Sequence, residues 1–167
     1  MHVALIEPEI PPNTGSIARL CAATETPLHL VGRLGFTIDD RQLKRAGLDY
    51  WPYVPLTRHE SWEAFRATLP GRRLGFSARA TSLYTDIRFR DDDVLVFGGE
   101  TRGLPAAIRD ELTTALYRIP IVSPHVRSLN LANAVSIVLY EALRQLRPQR
   151  PLPQSERPQP PSGSTKP

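Results

Sequence analysis

The apolar positions of the chain fall into two kinds of block. Residues 2–6 (H-V-A-L-I), 28–31, 73–77 (R-L-G-F-S) and 94–97 (V-L-V-F) are short runs bounded by Gly, Pro or polar residues. Such runs read as strands buried on both faces of a parallel sheet. Residues 51–56 read as another strand, short or at an edge because it holds Pro52 and Pro55. Residues 117–121 read as the last strand. Between these runs, apolar residues recur at three- and four-residue steps. Residues 13–24 carry Ile17, Leu20 and Cys21 on one face; residues 39–46 and 106–112 are short helical segments; and a helix opening at Ser61 carries Trp62, Phe65 and Leu69. The longest stripe is near the C-terminal end, where Leu131, Val135, Val138, Leu139, Ala142, Leu143 and Leu146 line one side of a helix. Strands alternate with helices, so the predicted fold class is α/β. It is an open, mostly parallel sheet with helices on both faces and ligands beyond the C-terminal ends of the strands.

Three polar interruptions carry more than turn chemistry. The first strand breaks at 7–12 with three prolines and resumes as N-T-G-S-I-A-R, where Asn13 or Thr14 can cap a helix. This is neither G-x-G-x-x-G nor G-x-x-x-x-G-K-[ST], so the dinucleotide and P-loop readings fail at the first βα turn. The strand at 94–97 runs directly into G-G-E-T-R-G-L-P. Adjacent glycines let a ligand approach backbone, while Glu100 and Arg102 add one charge of each sign that a tight turn does not require. Before the last helix, Arg127, Ser128, Asn130 and Asn133 crowd its start. One of them suffices as a cap; the surplus suits an anionic or electron-rich ligand.

Composition narrows the class. The 167 residues make one domain, taken as 1–147, and a tail, 148–167, that holds seven of the 17 prolines and almost no large apolar side chain. Such a tail cannot offset the entropy of folding and is expected to be disordered. A net charge of +4 permits nucleic-acid binding without demanding it. Only Lys44 and Lys166 among the 21 basic residues are Lys. Arg suits bidentate phosphate recognition, although a codon bias gives the same look. Arg41, Lys44 and Arg45 read either as a solvated face or as an RNA-contacting one. The single cysteine, Cys21, excludes an internal disulfide and any multi-cysteine metal site, and is most simply a small core residue. No run of apolar residues is long enough for a membrane helix, and Met1 is followed at once by an expected strand and not by a charged and then apolar leader. A soluble, cytoplasmic protein is expected, with no membrane association and no metal.

Taken together and in this order, residues 13–19 (N-T-G-S-I-A-R), 97–105 (F-G-G-E-T-R-G-L-P) and 119–136 with its R-S-L-N-L-A-N-A-V-S core resemble the SPOUT superfamily of S-adenosylmethionine-dependent RNA methyltransferases. P-E-I-P-P-N-T-G, R-A-G-L-D-Y (45–50) and L-Y-E-A (139–142) make the chain most similar to the minimal members that methylate the ribose 2′-hydroxyl of the wobble nucleotide, C/U34, of tRNA. The resemblance implies a deep C-terminal trefoil knot, S-adenosyl-L-methionine as cofactor, the tRNA anticodon stem-loop as partner, and a homodimer with its sites at the subunit interface. It carries catalytic roles onto Asn13, Arg19, Glu100, Ser128 and Asn130. The cofactor cradle falls on Ser77, Gly98, Gly103, Ile119, Ile121, Ser128 and Leu129, and RNA contacts on Arg19, Arg102 and Arg127. Arg19 fits a phosphate clamp better than a base, because a guanidinium does not readily give up its proton. Glu100 is the better base on chemical grounds, or else holds Arg19 or the cofactor's amino group. Arg102 and Arg127 otherwise read as surface ion pairs, and Tyr140 as packed at a helix interface. Gly99 stands where relatives often carry Pro or Ser, which is expected to loosen the turn. A ribosomal RNA 2′-O-methyltransferase and a non-catalytic RNA-binding module on the same fold remain as alternatives.

Overall fold

The structure, a computed structural model, describes residues 1–36 and 53–146. The expected helix at 39–46, Trp51 and Pro52, and the proline-rich tail 148–167 lie outside the described residues. Within them the order is β1 (His2–Ile6), α1 (Pro11–Thr24), β2 (Leu28–Val31), β3 (Leu56–His59), α2 (Trp62–Thr68), β4 (Arg73–Phe76), β5 (Ser82–Leu83), β6 (Val94–Gly98), α3 (Ala106–Glu111), β7 (Leu116–Arg118) and α4 (Leu131–Leu146). The strands form one sheet in the order β3-β2-β1-β6-β4-β7-β5, with every pairing parallel.

The period-two geometry of the central strands explains the layers. Val3, Leu5, Leu95 and Phe97 point into one core with Ile17, Ala18 and Cys21 of α1 and Val135, Val138, Leu139 and Ala142 of α4. Their neighbours Ala4, Ile6, Val94 and Val96 point into a second core with Trp62 and Phe65 of α2 and Ile108 of α3. Strands that feed two cores have no polar face, which is why their sequences read as continuous apolar runs. Helices therefore cover both faces, as predicted. Cys21 is fully buried, and burial pushes its thiol up to about 12, so it packs as a small apolar residue.

Several boundaries differ from the sequence reading. The third strand is Leu56–His59, not 51–56: the Pro55 carbonyl accepts from Leu28 N–H, and the ladder begins only after this residue, which has no N–H of its own. The last strand is Leu116–Arg118; the chain leaves the sheet before Pro120, so Ile119 and Ile121 are not strand residues. The first helix begins at Pro11, with Ile10 at its N-cap, which places Asn13 and Thr14 inside its first turn rather than at a cap. Ser61 does cap α2, its Oγ accepting from Ala64 N–H at 3.2 Å. Tyr140 is 57% exposed, so it does not pack between helices of this chain. The stripe of α4 is buried against α1 and the sheet, with its far end tethered by Gln145. The Gln145 amide donates to the Ile87 carbonyl at 3.0 Å and accepts from Phe89 N–H at 3.1 Å.

The order in which the chain adds strands reverses between β1 and β6, the place where loops diverge and leave a crevice in open α/β folds. On the other side of β1 lies an uncharged histidine row. His29 sits between His2, with Nε2 3.0 Å from its Nδ1, and His59, with Nδ1 2.9 Å from its Nε2, and its ring lies 5.4 Å from that of Phe65. Burial, aided by the two neighbouring imidazoles, holds His29 down at about 4, and His2 and His59 shift the same way.

The pH dependence follows from the sign of that shift. Between the ordinary histidine value and about 4 the unfolded chain binds a proton at His29 that the folded chain refuses, so stability is lost as pH falls through that window. Thermal or urea unfolding is expected to show a loss of up to about 3 kcal/mol between pH 7 and pH 4 from this residue. His29→Gln should flatten that part of the profile.

Candidate functional site

The site is built where two helices begin side by side. In α1, Pro11 and Pro12 occupy the first turn and contribute no N–H donors, and Ile10 offers no capping oxygen. The cap comes instead from the loop after β6. Glu100 Oε2 accepts from Glu9 N–H at 2.8 Å, and Oε1 accepts from Ile10 N–H at 3.3 Å and from Asn13 Nδ2 at 3.0 Å. A carboxylate at a helix N-terminus also interacts favourably with the helix dipole. Asn13, almost wholly buried, passes the contact on: its Oδ1 accepts from Asn130 Nδ2 at 2.9 Å. Asn130 in turn caps α4, accepting from Ala132 N–H at 2.9 Å and Asn133 N–H at 3.3 Å. Arg127 and Ser128 precede the helix rather than lying in its first turn.

The glycines serve this loop in two different ways. A Cβ at Gly98 would lie 2.0 Å from the Gly103 carbonyl carbon and 2.1 Å from Leu104 N, so Gly98 admits the loop's own returning backbone. The loop is closed by Gly103 N–H donating to Gly99 O at 2.9 Å. A Cβ at Gly99 would lie 2.6 Å from the Glu7 carbonyl oxygen, so this residue packs the turn against the segment after β1 instead of loosening it. Gly103, at φ +67, faces open space.

That open space is a cavity of about 910 Å³ beyond the ends of β4, β6 and β7. It receives Ser77 from the end of β4, Gly98 and Gly103 from the β6 loop, and Ile119, Ile121, Ser128 and Leu129 from the segment after β7. Glu100, Arg102, Arg127 and Asn130 line it too. Asn13 stands behind the wall, joined to it through Glu100 and Asn130. Arg19 is exposed on α1 and is not part of the cavity wall. Phe76 and Phe97, stacked with ring centroids 4.8 Å apart, give the cavity an apolar side. Residues 120–129 make no backbone–backbone hydrogen bond among the described residues; apart from His125 N–H, which donates to Ser123 Oγ, and the two prolines, their backbone groups are open to a ligand. An apolar wall, unpaired backbone and a volume at the upper end of the ~300–1,000 Å³ range of small-molecule sites fit a nucleoside-bearing cofactor.

Two arginines in the wall, Arg79 and Arg109, escaped the sequence reading. The Arg-bearing polar loop after β4 held the signal for Arg79. Arg109 had none, because one arginine on a short surface helix looks like any solvated charge. Among the described residues there is no cluster of three or more His, Cys, Asp or Glu arranged to hold a metal ion, and no helix long and apolar enough to cross a membrane.

The profile of the SpoU rRNA Methylase family matches residues 1–140. The chain belongs to this family. The chain is similar to the tRNA (cytidine(34)-2′-O)-methyltransferase of Methylovorus glucosotrophus, 52% identical over 145 residues, which span 86% of this chain and 94% of that one. A solved structure described as giving structural insights into the 2-OH methylation of C/U34 on tRNA superposes with a TM-score of 0.83 at 48% identity, over 89% of this chain and 97% of that one. The SpoU methyltransferase AviRb from Streptomyces viridochromogenes, solved with AdoMet, superposes with a TM-score of 0.75 at 31% identity, over 90% of this chain and 59% of that one. The family drawn from the three motifs is therefore the right one.

Asn13 joins the two helix starts, so Asn13→Ala removes both contacts at once and leaves Glu100 Oε1 with a single weak donor. Urea unfolding is expected to show a loss of ~2 kcal/mol. Ser16→Ala, on the exposed side of the same helix, should change little.

Proposed function

We infer that this chain is an S-adenosyl-L-methionine-dependent methyltransferase acting on the ribose 2′-hydroxyl of the wobble nucleotide, C/U34, of tRNA. The observation that carries the assignment is the convergence on one cavity of the β4 end, the β6 loop and the segment after β7, in a chain about half identical to an enzyme named for that reaction. The same relative favours tRNA over ribosomal RNA, and the cavity with its backbone left open favours an enzyme over a binding module.

When bound, S-adenosylmethionine supplies a methyl group on a sulfonium, already a strong donor, so the protein mainly has to place the sugar oxygen in line and assist loss of its proton. Gly98, Gly103, Ile119, Ile121, Ser128 and Leu129 hold the cofactor through backbone and apolar contacts, with Ser77 beside the end of β7, its N–H donating to the Tyr117 carbonyl at 2.9 Å. Arg102 and Arg127 contact RNA phosphate. Arg19 clamps the phosphate beside the target nucleotide. Both carboxylate oxygens of Glu100 already accept hydrogen bonds, an arrangement that favours positioning over proton abstraction. Asn13 and Asn130 lock the start of α4 and so set where Ser128 and Leu129 stand.

The path of the C-terminal segment is read as a trefoil knot. Residues 119–130 run through the cavity wall beside Ser77 and Arg79, and α4 then ends against Ile87 and Phe89 of the segment that follows them. A homodimer is supported by Ile10, Val126, Ile137 and Tyr140, exposed on α1, α4 and the cavity rim. A second subunit also accounts for Arg19, which stands off this chain's own cavity wall. A cytoplasmic location goes with a tRNA substrate.

Incubation with labelled cofactor and bulk tRNA, followed by digestion to nucleosides, is expected to yield 2′-O-methylated cytidine or uridine; base-methylated nucleosides alone would refute the assignment. Arg19→Ala and Asn130→Ala should each lower turnover at least about tenfold, the effect of losing ~1.4 kcal/mol of positioning energy. Asn130→Ala should also cost ~1 kcal/mol of stability through the lost cap. Unchanged rates in both variants would remove the site assignment.

A further inference from the structure

The charge balance of the cavity is one-sided. Four guanidinium groups reach it from four separate segments: Arg79 from the turn after β4, Arg102 from the β6 loop, Arg109 from α3 and Arg127 from the segment before α4. Its one carboxylate, Glu100, is held by Glu9, Ile10 and Asn13, and contacts none of the four. Among the described residues, Arg79, Arg102 and Arg127 have no ion-pair partner. Arg109 has only Asp110, its chain neighbour, with Nε and Oδ1 4.0 Å apart and the carboxylate 75% exposed. Elsewhere among the described residues Arg66 pairs with Glu111, Arg72 with Asp93 and Arg144 with Glu141, while other arginines such as Arg33, Arg58 and Arg118 stand singly on the surface. What sets the cavity apart is that four guanidiniums share one opening. Like charges gathered without counterions repel one another and raise the free energy of the empty site, an arrangement that an incoming polyanion relieves.

We propose that Arg79 and Arg109 add a second phosphodiester contact of the RNA strand to the one made by Arg102 and Arg127 at the same opening. This rests on the function proposed above and deepens it. Four guanidiniums on one opening are more than a single phosphate needs, and suit a strand that carries a phosphate on each side of the reacting nucleotide. Guanidinium forks are matched to phosphate oxygens and remain charged at every pH of interest. The turn that carries Arg79 is set by Ser77 Oγ, which accepts from Arg79 N–H at 3.3 Å, so a cofactor-lining residue also fixes where this contact stands. Arg79 is exposed and the Arg109 side chain is 35% exposed, and neither guanidinium donates a hydrogen bond to another described residue.

The other anion within reach is the amino-acid carboxylate of the methyl donor, and salt dependence separates the two sources. Each phosphate neutralised contributes about 0.7–0.9 to the slope of log binding constant against log salt, whereas a small cofactor releases no counterion atmosphere. Binding of an anticodon stem-loop is measured over a salt series for the full chain and for Arg79→Ala and Arg109→Ala, alongside calorimetry with S-adenosylhomocysteine. Each variant is expected to bind RNA about fivefold to tenfold more weakly, to lose about one unit of salt slope, and to keep its affinity for S-adenosylhomocysteine and its melting temperature. Arg79→Lys and Arg109→Lys should recover the slope, since a lysine neutralises the same phosphate. Unchanged salt slopes in both alanine variants would overturn the proposal, as would a loss of S-adenosylhomocysteine binding in place of RNA binding. Methyl transfer by the unaltered chain is scored separately. Failure of the functional assignment shows there as missing 2′-O-methyl product, whereas the phosphate contact stands or falls on the slopes.

Discussion

The chain of contacts from Glu100 through Asn13 to Asn130 is the constraint on which the rest of the site depends. A helix that opens with two prolines has no donor at its first two positions, and the N–H groups of Glu9 and Ile10 just before it need an acceptor. Here that acceptor arrives from the other side of the sheet's switch point, about 90 residues along the chain. Asn13 has both ends of its amide engaged, and Asn130 uses its oxygen for α4 and its nitrogen for α1. Removing any member leaves a partly buried polar group without its partner, the situation in which hydrogen bonds matter most to stability.

This network also explains how a site made largely of coil keeps its shape. The segment 120–129 has no backbone ladder of its own and is pinned at its two ends. The β7 strand joins the sheet at one end, and the capped start of α4 is tied to α1 at the other. Loops that carry function are usually held by a rigid scaffold, and here the scaffold is two helix starts and three strand ends. Gly98 belongs to the same economy of space: it lets the β6 loop fold back on its own strand, and the loop in turn delivers Glu100 to α1.

The electrostatics follow from the same placement. With Glu100 turned toward the helix starts, nothing in the cavity offsets the arginines around it, and the opening is left cationic beside an apolar pair, Phe76 and Phe97. An apolar wall, open backbone groups and a positive rim are three separate demands. A methyl donor bound to a base and a polyanionic strand meet them together.

Much of this protein was legible in its sequence. The apolar runs marked the strands buried on both faces, because period and length report burial directly; the stripe of α4 marked the helix that closes one core. Six of the seven residues expected in the cofactor cradle lie in the three motifs, the exception being Ser77, and all seven line the one cavity. What the sequence left undecided depends on distance in space. Asn13 and Thr14 looked like a cap because local rules favour their side chains, yet the cap came from Glu100, whose carboxylate approaches only once β1 and β6 are neighbours. Ile119 and Ile121 looked like a strand because they are apolar and β-branched, and only the register of β7 showed that they leave the sheet to face the cavity. Arg79 and Arg109 are ordinary surface residues until four chain segments meet around one opening. Local pattern determines which segments become strands and helices. Which polar side chains find one another is a long-range outcome, decided when the sheet sets its order.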